Sequence, residues 1–260
     1  MSRRSVLAAS LAALAVVMAS GSARAEAPQT EPGATQAVDA RATAALDRMS
    51  AYLAGLRAFE VTSTATQDLV LDDGHSVKLG LRTRYLAQPP QRLYAEVHSD
   101  RQHRNFYFDG AAPTMTAPRM GFYASATAPG SIRDLIDALA DEYGIDLPLA
   151  DLFLWNARSA DVQPTGAAVI GYAEVAGQET DQYLFVGPAA EWQVWIKRGD
   201  APLPLRLVVT DTTDPARPQF AADLTWNVAP TLTAEQFTFK PPHAARRIVF
   251  GDMTTQESDQ

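Results

Sequence analysis

From Phe59 to Asn227 apolar and polar residues alternate in short runs bounded by turn residues, and a helical pattern interrupts them only once. Alternation with period two places one face of each run against a core and the other in water, which is the pattern of antiparallel strands. Asp73-Gly74 sits between Val61–Leu71 and Val77–Leu86 as a two-strand hairpin signal. Arg92–His98 and Asn105–Phe108 follow, the latter closed by Asp109-Gly110. Ala168–Val175, Gln182–Val186, Trp192–Lys197, Leu203–Thr210 and Phe220–Asn227 resume the series. Roughly nine or ten strands joined by short turns cannot make a parallel doubly wound fold, which needs a crossover after nearly every strand. They predict one large antiparallel sheet that curls towards a barrel, a mainly β member of the α+β class.

Such a sheet leaves an apolar concave face that must be covered, and two helical stretches carry the stripe to do so. Val38, Ala42, Ala45, Met49, Tyr52 and Leu56 fall on one face of a leading helix. After Pro129-Gly130, Ser131 and Asp134 form a capping-box signature, and Ile132, Leu135, Ile136 and Leu139 make an apolar stripe. Beyond Gly144, the cluster Ile145, Leu147, Leu149, Leu152, Phe153 and Trp155 predicts a further short helix begun near Pro148. Ala234–Phe237 reads as a helical turn before a last strand.

The first 25 residues have the form of an export signal, with basic Arg3 and Arg4, an apolar run Val6–Ala19 and the small-x-small site Ala23-Arg24-Ala25. A helix of those 14 residues is about 21 Å long, short of the roughly 30 Å hydrocarbon core. No other run approaches a spanning length, so no membrane span is expected. The periplasm is the expected destination, by the general secretory or the twin-arginine route. Residues 26–35 read as a disordered tether, 36–250 as a single half-barrel domain, and 251–260 as a polar tail.

Composition narrows the function. The chain has 30 acidic against 22 basic residues and a formal charge of −8, and loss of Arg3, Arg4 and Arg24 with the signal takes it to −11. Its three lysines, Lys78, Lys197 and Lys240, are scattered, so nucleic acid is not an expected partner. Without cysteine there are no disulfides, thiol nucleophiles or Cys-ligated metals. No H-E-x-x-H, G-x-S-x-G, P-loop or dinucleotide fingerprint occurs, and no catalytic residue, metal or cofactor is assigned. His98, Asp100 and His103 form the one local cluster of metal-ligand types, but along a continuous strand the two histidines would lie on opposite faces. A dispersed carboxylate pair for hydrolase or lyase chemistry stays open, since acidic residues are many and nothing singles out two.

The stretch from Ala37 to about Arg247 resembles an uncharacterised family of predicted periplasmic proteins, itself similar to the outer-membrane lipoprotein carrier superfamily and to mycobacterial lipid-binding lipoproteins. The matching features are the leading helix, Pro90-Gln91-Arg92-Leu93, Phe106-Tyr107-Phe108-Asp109-Gly110 and Tyr143 to Leu152. Trp192-Gln193-Val194-Trp195-Ile196, Pro202 to Thr210 and Phe237 to Pro242 complete them. The resemblance implies an unclosed antiparallel half-barrel with helices as a lid, binding acyl chains inside. The expected cavity wall is Leu93, Phe106, Phe108, Trp192, Ile196, Leu205 and Leu207, and the expected lid is Ile132, Leu135, Ile136, Leu139 and Phe153. A lipid or acylated protein is the expected partner, with an envelope protein in assembly or stress signalling as the rival. In N-terminal sequencing the exported protein should begin at Glu26; an intact Met1 on a membrane-attached form would overturn the reading of residues 1–25.

Overall fold

The computed structural model describes residues 38–126, 130–150 and 164–249. The chain opens with α1 (Ala40–Ala54), begun where the Asp39 carboxylate accepts the Arg41 backbone N–H. Ala42, Ala45, Leu46, Met49 and Leu53 recur three or four residues apart and form its buried face. Six strands follow, β1 (Phe59–Val70), β2 (Ser76–Gln88), β3 (Arg92–Ser99), β4 (His103–Phe108), β5 (Thr114–Ala117) and β6 (Phe122–Ser125). Then come α2 (Ile132–Tyr143), β7 (Gly166–Val175), β8 (Gln178–Val186), β9 (Ala190–Lys197), β10 (Pro204–Asp211) and β11 (Gln219–Asn227). A single 3-10 turn, Ala234–Phe237, and the two-residue β12 (Arg246–Arg247) end the described chain.

All twelve strands lie in one sheet in the order β12-β6-β5-β4-β3-β2-β1-β11-β10-β9-β8-β7. It is two meanders, β1 to β6 and β7 to β11, joined where β1 pairs with β11. The strand pairs are antiparallel apart from β12, which lies parallel to β6. The sheet is not closed, and β7 and β12 are its edges. Sequence reasoning finds neither β5 nor β6, because each has only four residues and Pro118–Gly121 between them reads as loop. At the first hairpin Gly74 takes φ +82°, a left-handed conformation that favours glycine, and the Leu71 N–H donates to the His75 carbonyl.

Register explains the core. Residues directly opposite in antiparallel pairs point to the same face. The row Val61, Tyr85, Ala95, Phe106, Met115 and Ala124 crosses one half of the sheet, and Ala65, Ala222, Leu207, Val194 and Tyr183 cross the other. Each of these side chains is buried. They form one cluster with the apolar faces of α1 and α2 and with Ile145, Leu147 and Leu149. Ser63 and Thr83, polar residues on this face, satisfy each other at 2.7 Å.

The opposite face has a smaller apolar patch. Leu86 and Phe237 are buried outside the main cluster, and the Phe239 ring lies 5.4 Å from Tyr107 and 5.2 Å from Tyr123. After β11 the chain therefore straps the outer side of the first meander before β12 joins β6. Pro148–Ala150 forms a turn, and the rest of the helix expected there, including Phe153 and Trp155, lies outside the described residues, as do the signal, tether and tail. Phe237 is 1% exposed, so Phe237→Ala should lower stability in denaturant unfolding by about 3–5 kcal/mol. Met120, 51% exposed, should tolerate alanine within about 0.5 kcal/mol. A loss below about 1 kcal/mol at Phe237 would mean that the strap does not hold the sheet.

Candidate ligand-binding site

The expected wall residues stand on two halves of one face. Leu93 pairs with Ala87 and Phe108, and Phe106 pairs with Ala95 and Met115, on the β2–β5 side. Trp192 pairs with Phe185 and Val209, and Leu207 with Val194 and Ala222, on the β8–β11 side. Leu93, Phe106, Phe108, Ile196, Leu205 and Leu207 share the core cluster with Ile132, Leu135, Ile136 and Leu139, and Trp192 packs against it partly buried. The fold gathers them on one face, but not around one void: the six buried wall residues are 0–6% exposed.

The α2 segment is fastened at both ends. Ser131 caps it by accepting the Asp134 N–H at 3.2 Å and donating to the Asp134 carboxylate at 2.6 Å. The Ile132 N–H donates to the Pro90 carbonyl at 2.8 Å. Gly144 ends the helix at φ +62°, and beyond it the Tyr85 hydroxyl donates to the Pro148 carbonyl. Burial raises the Tyr85 phenol far above its ordinary range, so it remains a donor at neutral pH.

Two adjoining cavities lie at the α1 end rather than under the expected lid residues. The smaller, about 120 Å³, is bounded by Ala45, Ile196, Gly199 and Pro202, and the larger, about 490 Å³, is an open trough along Ala40, Ala44 and Val169. They share Arg48, Asp181 and Tyr183. Asp181 accepts from Arg198 Nε at 3.0 Å and Nη2 at 2.6 Å, and the Arg198 guanidinium sits 4.9 Å above the Tyr172 ring. Burial and the Asp181 charge raise the Tyr183 phenol, outweighing Arg48 and Arg198, which keeps its hydroxyl protonated. Among the described residues lining the cavities Asp181 is the only carboxylate.

Sequence reasoning names Ile196 but misses Arg48, Asp181 and Tyr183. Arg48 reads as part of the polar side of a helix. Asp181 and Tyr183 alternate with Phe185 on one strand face, which is the signal that could have found them.

The two clustered histidines meet after all. The hairpin turn pairs His98 with His103, their rings stacked at 5.1 Å, instead of leaving them on opposite faces. His103 donates to Glu96 at 3.1 Å, His98 accepts from Arg119 at 3.0 Å, and Asp100 accepts the Gly80 N–H at 2.7 Å. No group of three metal-ligand side chains occurs among the described residues.

No helix among the described residues is long and apolar enough to cross a membrane. Solved structures similar to this chain include an uncharacterized conserved protein from Thermus thermophilus, 13% identical over 80% of this chain and 99% of that one, with a TM-score of 0.45. LprF from Mycobacterium bovis is 14% identical over 81% and 100%, at 0.45. The LolA superfamily protein NE2245 from Nitrosomonas europaea is 10% identical over 76% and 97%, at 0.37. No curated protein matches the chain. The model of the family described as "Predicted periplasmic protein (DUF2092)" matches residues 42–251, and the protein belongs to that family.

Proposed function

We propose that the protein is a non-enzymatic periplasmic carrier or sensor that takes a lipid-like ligand between its concave sheet face and its helical cover. The observation that carries this reading is the cavity pair beneath and beside α1, which reaches the apolar face at Ile196 and Tyr183. The smaller part, about 120 Å³, is partly open and bounded more by polar than by apolar surface, with Ala45 and Ile196 at its apolar side. A full acyl chain needs more room. It would obtain it by displacing the stripe Ile132, Leu135, Ile136 and Leu139 and lying against Leu93, Phe106, Phe108, Trp192, Leu205 and Leu207.

Burying ten methylenes gives about 8 kcal/mol, the standard free energy of a micromolar complex before the cost of association is subtracted. Apolar burial of a ten-carbon chain alone therefore falls short of micromolar affinity, and a longer chain or a polar contact must make up the difference.

A second reading is favoured by a specific observation. The six buried wall residues are already covered in the structure, as they would be in a protein-interaction module that presents its outer surface and holds no lipid. Trp192 separates the two, because it lies on the concave face but is only partly buried. Added dodecanoate should change tryptophan emission saturably, and Trp192→Ala should weaken that binding by about 1–3 kcal/mol with little change in melting temperature. No saturable response together with a stability loss of about 3–5 kcal/mol would make Trp192 plain core and transfer the assignment to the interaction module.

A further inference from the structure

We propose that the mouth between α1 and β8–β9 holds the anionic head group of the ligand, a carboxylate or phosphate borne on an acyl chain. This rests on the reading of the protein as a lipid binder and specifies the chemistry of its ligand. The chain as a whole carries −8, yet Arg41, Arg48 and Arg198 line the two cavities against Asp181 alone. A basic mouth on an acidic protein has a local potential opposite to the overall field, which concentrates small anions there and admits them selectively.

Part of this charge is already neutralised. Asp39 takes Arg41 at 2.8 Å and Asp181 takes Arg198, which the Tyr172 ring also fixes from below. Arg48 has no ion-pair partner among the described residues, whereas Lys197, which alternates with buried Ile196, belongs to the other face of the sheet. The charge of Arg48 acts on the Tyr183 phenol, so the two groups are neighbours at the junction of the cavities. An anionic oxygen at that junction would receive a guanidinium and a protonated hydroxyl, both donors, and charge-assisted bonds of this kind are roughly twice as strong as neutral ones. Just inside, Ala45 and Ile196 form an apolar floor on which the first methylenes of a tail can lie. A neutral head would forgo the charge-assisted contact with Arg48, and a cationic head would be repelled. The head therefore supplies the polar contact that apolar burial of a short chain lacks.

The exported protein should be titrated calorimetrically, below micelle formation, with four probes sharing a twelve-carbon chain: dodecanoate, dodecyl phosphate, dodecyl maltoside and dodecyltrimethylammonium. Both anions should bind at least about tenfold more tightly than the maltoside, and the advantage should shrink as salt is raised. Whichever anion binds more tightly names the head. Arg48 is exposed on α1, so Arg48→Gln should fold normally, abolish most of the tenfold preference and leave maltoside affinity within about twofold, while Arg48→Lys restores part of it. Equal affinity for anions and maltoside, or an equal loss for both in Arg48→Gln, overturns the head-group site and leaves the lipid-binding reading standing. Binding of none of the four probes overturns both.

Discussion

The whole structure depends on keeping water from one face of a sheet that does not close. The two meanders join through β1 and β11, which leaves β6 and β7 at opposite sides of the sheet. The chain between them must travel the full width, and α2 lies on that connection, its stripe in the same cluster as the strands. Cover and crossover are thus one segment. Burying Ile132, Leu135, Ile136 and Leu139 is worth at most about 6–12 kcal/mol, at about 1.5–3 kcal/mol for each large apolar side chain. The bonds from Ile132 to Pro90 and from Tyr85 to Pro148 add about 0.5–1.5 kcal/mol each. A helix held by that much does not leave an exposed apolar face unaided. It yields only when something of similar apolar area replaces it, as the hydrocarbon tail of the proposed ligand would.

The sheet edges are managed in different ways. At the β7 edge, Val38 bridges Ala167 and the Asp39 N–H donates to the Ala167 carbonyl at 2.9 Å, tying the start of α1 to the strand. A register shift between Val169 and Gly171, where Gly171 takes φ +132°, then interrupts the ladder and blunts the edge. At the other side the strap over Leu86, Tyr107 and Tyr123 delivers β12 to β6. α1 covers the end of the sheet where the cavities open and α2 lies on the connection between the sheet's two sides, and this division places the polar mouth and the apolar cover on different helices.

Much of this architecture is legible in the residues because period-two alternation and turn chemistry are local. The Asp73-Gly74 hairpin, the Ser131 cap, the stripe of α2 and the 3-10 turn at Ala234 each follow from a few neighbouring side chains. β5 and β6 do not, since four-residue strands become strands only by pairing with β4 and with each other. The wall residues are found because their face alternates, but whether a face lines a void or a packed core depends on what covers it from elsewhere in the chain, as for Leu93 and Phe106. The mouth is harder still. Arg48 comes from a helix and Asp181 and Tyr183 from a strand more than a hundred residues later, and only the Val38–Ala167 bridge and the packing of α1 on β7 bring them together.

The central claim is that the helical cover opens to admit an apolar tail and packs back over it, while the sheet stays intact. Backbone hydrogen exchange, measured with and without saturating dodecyl phosphate, tests it directly. In the free protein the amides of Ile132–Tyr143 should exchange faster than those of β1 and β2, and with the amphiphile bound they should slow by about tenfold or more while the strand amides keep their rates. Equal protection of α2 and the central strands, unchanged by the amphiphile, would contradict the account and leave the helix as a fixed part of the core.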